Sequence, residues 1–133
     1  MNPLVLQASN TTPYIDFNPS ENRLTISGYS RPENVRDFYM PVLDWLESFS
    51  NELKSKMLKE EQIQPIEFQF KLVYFNSSSA KFLYDIIIIL NQIQKAKVPL
   101  NINWYYDKDD SELREAGEDL SELAQVPFNF VTY

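Results

Sequence analysis

The stretch LVYFNSSSAKFL, Leu72–Leu83, decides the architecture of this chain. It opens as an unbroken apolar run, passes one asparagine and three serines, and continues with helical spacing. A short apolar run bounded by turn-forming residues reads as a buried strand. Beyond the serines, Phe82, Leu83, Ile86, Ile87, Leu90 and Ile93 recur at three- and four-residue intervals, the signature of a helix ending near Lys95–Lys97. Taken alone, the IIIIL run favours a strand. The hydroxyl residues ahead of it and the spacing on both sides outweigh that propensity.

Outward from this junction the pattern repeats. Upstream, Ile66, Phe68, Phe70 and Leu72 alternate with Glu67, Gln69 and Lys71, then run continuously through Leu72–Phe75, which predicts a strand entering the buried centre of a sheet. Downstream, Leu100, Ile102 and Trp104 alternate as another strand, a helix starts after Asp109–Asp110, and Phe128–Val131 is the last strand. Toward the N-terminus, Tyr14–Phe17 and Arg23–Ser27 alternate around the turn-rich NPSEN and predict a β-hairpin, with Leu4–Leu6 as a short edge strand. A helix is expected from Pro32–Glu33, proline being tolerated at a first helical position. Its apolar face is Val35, Phe38, Val42, Trp45, Leu46, Phe49 and Leu53; Pro41 should kink or split it, and MLKEEQIQP should be a loop. The predicted order is a hairpin followed by αβαβαβ: an α/β fold with a single mixed β-sheet and helices packed on it.

Composition bounds the function. The 133 residues fit a single domain, and 44% hydrophobic with 14% aromatic residues mark a folded chain. With no cysteine and no basic, apolar leader in MNPLVLQASN, a cytoplasmic location is expected. The longest strongly apolar run, Ile86–Leu90, is far too short for membrane insertion. A net charge of −7 argues against nucleic acid as a partner. Residues 107–122 hold eight acidic and two basic side chains, so 8 − 2 leaves six of the seven net negative charges in one segment. That segment reads as a solvated acidic helix, or as a surface for a basic partner. Its DKDDSELREAGE has oxygens at calcium-loop positions, but Glu112 stands where the EF-hand turn requires glycine, so no metal is expected. Acids in the first turn of a helix account for the same residues. The chain also lacks histidine, and nothing in it offers a base to activate a serine, so it reads as a non-enzyme with no cofactor.

The candidate site is therefore the turn Asn76–Ser79, at the carboxyl end of a strand, where open α/β sheets commonly bind ligands. Ser77 or Ser78 is expected to cap the helix. A phosphoryl group here adds roughly −1.5 to −2 charges at the favourable end of a helix dipole, and Lys81, one turn on, is placed to pair with it. Ser78 and Ser79 are further candidate contacts. SGYSRPEN, residues 27–34, joins a strand to the first helix, with Gly28 and Pro32 supplying the turn. If that loop lies beside Ser77, then Tyr29, Ser30 and Arg31 add to a partner-docking surface, and Arg31 can engage a phosphate.

Five blocks, TTPYIDF, LTISGYSRPENVRDFYMPVLDWL, LVYFNSSSAKFL, INWYYDKDDSELREAGEDL and PFNFV, resemble the SiaC family of bacterial biofilm-regulation phosphoproteins, with SGYSRPEN and YFNSSS the specific stretches. They span nearly the whole chain, which implies one SiaC-like domain over residues 1–133. The resemblance implies a STAS-like fold of the anti-sigma-factor-antagonist type. It also implies that the hydroxyl directly after the asparagine, Ser77 here, is the phosphoacceptor; serine stands where threonine is frequent. It further implies partner switching. A protein kinase with a histidine-kinase-like ATPase domain adds the phosphate, a PP2C-type phosphatase removes it, and the unphosphorylated form binds and activates a diguanylate cyclase, raising cyclic di-GMP.

Overall fold

The computed structural model describes residues Met1–Tyr133. Six strands form one sheet: β1 (Leu4–Leu6), β2 (Tyr14–Asn18), β3 (Arg23–Ser30), β4 (Ile66–Phe75), β5 (Leu100–Tyr106) and β6 (Asn129–Thr132), in the spatial order in which they occur along the chain. β1–β2 and β2–β3 pair antiparallel; β3–β4, β4–β5 and β5–β6 pair parallel. The helices α1 (Val35–Leu58), α2 (Ser77–Lys95) and α3 (Ser111–Ala124) make the parallel crossovers. The expected mixed α/β sheet is thus the fold observed.

Right-handed crossovers between successive neighbours place all three helices on one face of the sheet. Burial follows. Leu24 and Ile26, then Ile66, Phe68, Phe70 and Leu72, then Ile102 and Trp104 are sealed beneath the helices. Their alternates Thr25, Gln69 and Tyr105 lie on the uncovered face, where Thr25 Oγ1 donates to Gln69 Oε1 (3.1 Å) and Lys71 sits over the Tyr105 ring (4.8 Å). Aromatic rings fill the layer between: Trp45 of α1 packs on Phe17 at 5.2 Å, and Tyr39 stacks on Phe82 of α2 at 5.6 Å. Both sheet edges, β1 and β6, are short, which limits edge-to-edge association.

Four expectations need correction. α1 starts after an Asn34 cap, so Pro32 precedes the helix rather than opening it, and the helix runs on to Leu58, into the segment expected to be a loop. Pro41 does not split α1. Pro41 and Asp37 both lie on the exposed side, so the carbonyl that the proline leaves without an N–H partner faces water. Finally, the apolar run Leu72–Phe75 is not buried on both faces. Val73 and Tyr74 are 51% and 47% exposed. The register passes from Gly28↔Leu72 to Tyr29↔Tyr74, leaving Val73 as a bulge opposite Gly28, whose φ of +95° only glycine adopts readily.

Candidate functional site

All three helices begin at the same edge of the sheet, where β3, β4 and β5 end, and each is closed by the same device. Asn34 Oδ1 accepts the Asp37 N–H (3.1 Å), Asn76 Oδ1 accepts the Ser79 N–H (2.9 Å), and Asp110 Oδ1 accepts the Leu113 N–H (3.0 Å). A side-chain oxygen meeting the third backbone N–H satisfies one of the four free donors of a helix start. At α2 the cap is therefore Asn76, not Ser77 or Ser78. Asparagine caps as well as serine does, and it comes first in the chain where the backbone is still extended (φ −87°, ψ 173°). The consequence falls on Ser77. As the first residue of α2 it is exposed, and its hydroxyl has no capping duty.

Beneath the turn lies a buried chain of hydroxyls. Ser30 Oγ is 2.6 Å from Tyr39 Oη and 2.8 Å from Ser79 Oγ, and Ser79 Oγ donates to the Ser30 carbonyl at 3.1 Å. That last bond fixes the direction of the others: Ser79 uses its proton on the carbonyl, Ser30 donates to Ser79, and Tyr39 donates to Ser30. Every proton is used, and all three residues are fully buried. With Asn76 N–H donating to Ser30 O (3.0 Å), the network ties β3, α1 and the start of α2 together directly under Ser77. Ser30 and Ser79, expected as partner or phosphate contacts, are thus interior supports: no partner reaches them. Ser30 falls on the inward parity of Leu24 and Ile26, and that parity is the sequence signal that marks it as buried.

Burial raises the Tyr39 phenol to about 12, the neighbouring Ser30 and Ser79 hydroxyls opposing the shift in part. A raised folded-state value means that the neutral phenol stabilises the fold fully below the unfolded value near 10. That stability is lost as pH climbs toward 12. Two pKa units correspond to about 2–3 kcal/mol. Denaturant melts should therefore show Tyr39→Phe losing less stability than the parent between these pH values; parallel pH profiles would exclude an ionising Tyr39.

The other expected site residues lie around Ser77 at the surface. Ser78 is exposed. Lys81 reaches away from the turn to Asp85 (3.1 Å) and lies over the Phe82 ring (4.8 Å). The SGYS segment is the end of β3, beside β4 as the docking idea requires, with Ser30↔Phe75 in register. Tyr29 is 47% exposed, and Arg31 lies over its ring at 5.8 Å while its backbone N–H donates to Thr11 O (2.8 Å). In the acidic segment, Asp107 Oδ1 accepts the Asp109 N–H (2.9 Å) and Asp110 caps α3, so two carboxylates of the calcium-like pattern shape the turn.

Comparison with known proteins agrees across the chain. Residues 6–133 match the model of the SiaC family of regulatory phosphoproteins. An uncharacterized protein of Pseudomonas aeruginosa strain UCBPP-PA14 is 30% identical over 128 residues, covering 96% of this chain and 94% of the relative. The crystal structure of apo-SiaC from Pseudomonas aeruginosa superposes with a TM-score of 0.80 at 28% identity, covering 99% of this chain and 98% of that one. A second match is the crystal structure of the diguanylate cyclase SiaD in complex with its activator SiaC from the same species (TM-score 0.84, 28% identity, 98% and 99% covered).

Proposed function

The chain belongs to the SiaC family of regulatory phosphoproteins, and from that premise we propose that it is a phosphorylation-controlled interaction switch centred on Ser77. The observation that carries this reading is the division of labour at the turn: Asn76 caps α2, and Ser77 is left exposed at its first position. A phosphate on Ser77 gains from the α2 dipole, and Lys81, four residues on, can turn from Asp85 toward it. Modification thus changes the surface without cost to the fold. The rival reading, a constitutive scaffold in which the serines only cap a helix, loses its motive for Ser77 once Asn76 does the capping.

In this reading the unphosphorylated chain binds and activates a diguanylate cyclase, as the complex of SiaD with its activator SiaC suggests by likeness. A kinase with a histidine-kinase-like ATPase domain adds the phosphate and a PP2C-type phosphatase removes it. All of this takes place in the cytoplasm, and the chain itself regulates without catalysing. Phosphate at the interface forces a near-dianion to be desolvated against the partner, which shifts the population away from the complex.

The test pairs phosphopeptide mapping with binding. Protein isolated from its own cells should carry phosphate on Ser77 only when the kinase is present. Titrated with a diguanylate cyclase of the same organism, Ser77→Ala should bind like the unphosphorylated parent and Ser77→Asp about tenfold more weakly, a difference of about 1.4 kcal/mol. Equal affinity of both variants, with Ser77 unmodified while the kinase is active, would sink the switch.

A further inference from the structure

Both ends of the turn that carries Ser77 are tied to one atom. The Ser30 carbonyl, at the end of β3, accepts the Asn76 N–H at 3.0 Å and the Ser79 hydroxyl at 3.1 Å. Asn76 Oδ1 in turn accepts the Ser79 N–H at 2.9 Å. Residues Asn76–Ser79 are therefore closed into a clamp, with Ser79 fully buried and Ser77 and Ser78 exposed on its outer side. Successive residues of a helix project about 100° apart around its axis. Two neighbouring hydroxyls in a clamped turn thus point in two different directions. The first turn of an unclamped helix frays, and each hydroxyl then visits the place of the other.

Resting on the switch reading above, we propose that Ser79 is the positioning residue for phosphoryl transfer to Ser77, and that the clamp it closes selects Ser77 over Ser78 as the acceptor. In the transfer, Ser77 Oγ attacks the γ-phosphorus of ATP held by the kinase. The new O–P bond forms as the bond from that phosphorus to the β–γ bridging oxygen breaks. ADP departs, and the hydroxyl proton passes to a base of the kinase. Such a transfer depends on holding the acceptor in line with the phosphorus, and a misplacement of about 1 Å costs about a hundredfold in rate. Ser79 never meets the nucleotide: its proton is used on the Ser30 carbonyl and its hydroxyl lies beneath the surface. What it supplies is a fixed direction for the hydroxyl two residues earlier. Tyr39 stands outside the clamp, because its loss leaves every bond among Ser30 O, Asn76 and Ser79 in place.

The experiment presents the full chain, as parent, Ser79→Ala, Tyr39→Phe or Ser77→Ala, to the histidine-kinase-like kinase of the same organism with ATP. Steady-state rates are measured, and mass spectrometry identifies the phosphorylated residue. Ser79→Ala should lower kcat about tenfold or more with KM held within about twofold, and should divide the phosphate between Ser77 and Ser78. Tyr39→Phe, which also loses a buried hydrogen bond, should match the parent in rate and in site. Loss of stability alone would move these two variants together, and thermal melts record that loss for each. Ser77→Ala, an exposed change that leaves the Asn76 cap intact, should take no phosphate on Ser78. A Ser79→Ala chain phosphorylated on Ser77 alone at the parent rate overturns the positioning role and leaves the switch standing. If Ser79→Ala does not fold, Ser77→Ala decides: phosphate moving to Ser78 at the parent rate makes the two hydroxyls interchangeable and the proposal wrong. A parent chain that the kinase never phosphorylates on Ser77 overturns the switch and the positioning together.

Discussion

Gly117→Ala is expected to lower the unfolding free energy by about 2–3 kcal/mol, the opposite sign to most helix substitutions of this kind. In an exposed helix interior the change gains about 1 kcal/mol, because alanine loses less backbone freedom. Here a Cβ at residue 117 would stand 2.5–2.7 Å from Nε1, Cε2 and Cδ1 of Trp104. The indole has nowhere to retreat. It is 1% exposed, packs against Phe70 at 5.3 Å, Phe75 at 6.0 Å and Phe128 at 5.8 Å, and donates from Nε1 to the Leu113 carbonyl at 3.1 Å. The helix must move away from the sheet instead, and overpacking of that kind outweighs the propensity gain. Urea melts check this: the midpoint should fall with little change in slope. Trp104→Phe, which shrinks the opposing ring, should make the double variant less costly than the sum of the two changes. A Gly117→Ala protein as stable as the parent would mean that α3 does not hold the indole this closely.

Ser30→Ala should cost about 2–3 kcal/mol, although it deletes a single oxygen. Two hydrogen bonds disappear, and the Tyr39 hydroxyl, fully buried, is left with a proton and no acceptor. Stranding a buried donor costs more than the net value of the bond it made. Tyr39→Phe is the milder change, because it removes the donor at the end of the chain of hydroxyls and leaves Ser30 donating to Ser79. If restoring the balance works as argued, Ser30→Ala combined with Tyr39→Phe should be more stable than Ser30→Ala alone. Equal stability of the two would show that the hydroxyls are not coupled.

The sheet was legible because its signals are local. Alternation in β4 and β5, the asparagine–serine junction before α2 and the carboxylates before α3 each specify one element from a few neighbouring residues. The cap at α2 is ambiguous in sequence because four capping-competent residues stand in a row and only backbone geometry selects Asn76. The exposed Val73–Tyr74 pair was hidden for a different reason. A bulge shifts the side-chain parity after Leu72, and apolar residues on an open surface look the same in sequence as apolar residues in a core. Ser30 and Ser79 read as surface groups in the sequence because serine is usually exposed; only the packing of β3 against α1 and α2 makes them interior. Ser77 is singled out by the family resemblance, as the hydroxyl directly after the asparagine, and in the fold it is exposed.

The strand order has a bearing on how the molecule is assembled. Because spatial order equals chain order from β1 to β6, no strand must slip between two that are already paired. Each new β-α unit closes one loop and docks on an edge that its predecessor has just completed, so the entropy of loop closure is met in small instalments. A chain emerging from the ribosome N-terminus first can follow the same sequence of steps, hairpin before β4, β4 before β5. The turn that carries Ser77 then becomes a finished surface only when β5 and α3 close its acidic side, near the end of synthesis.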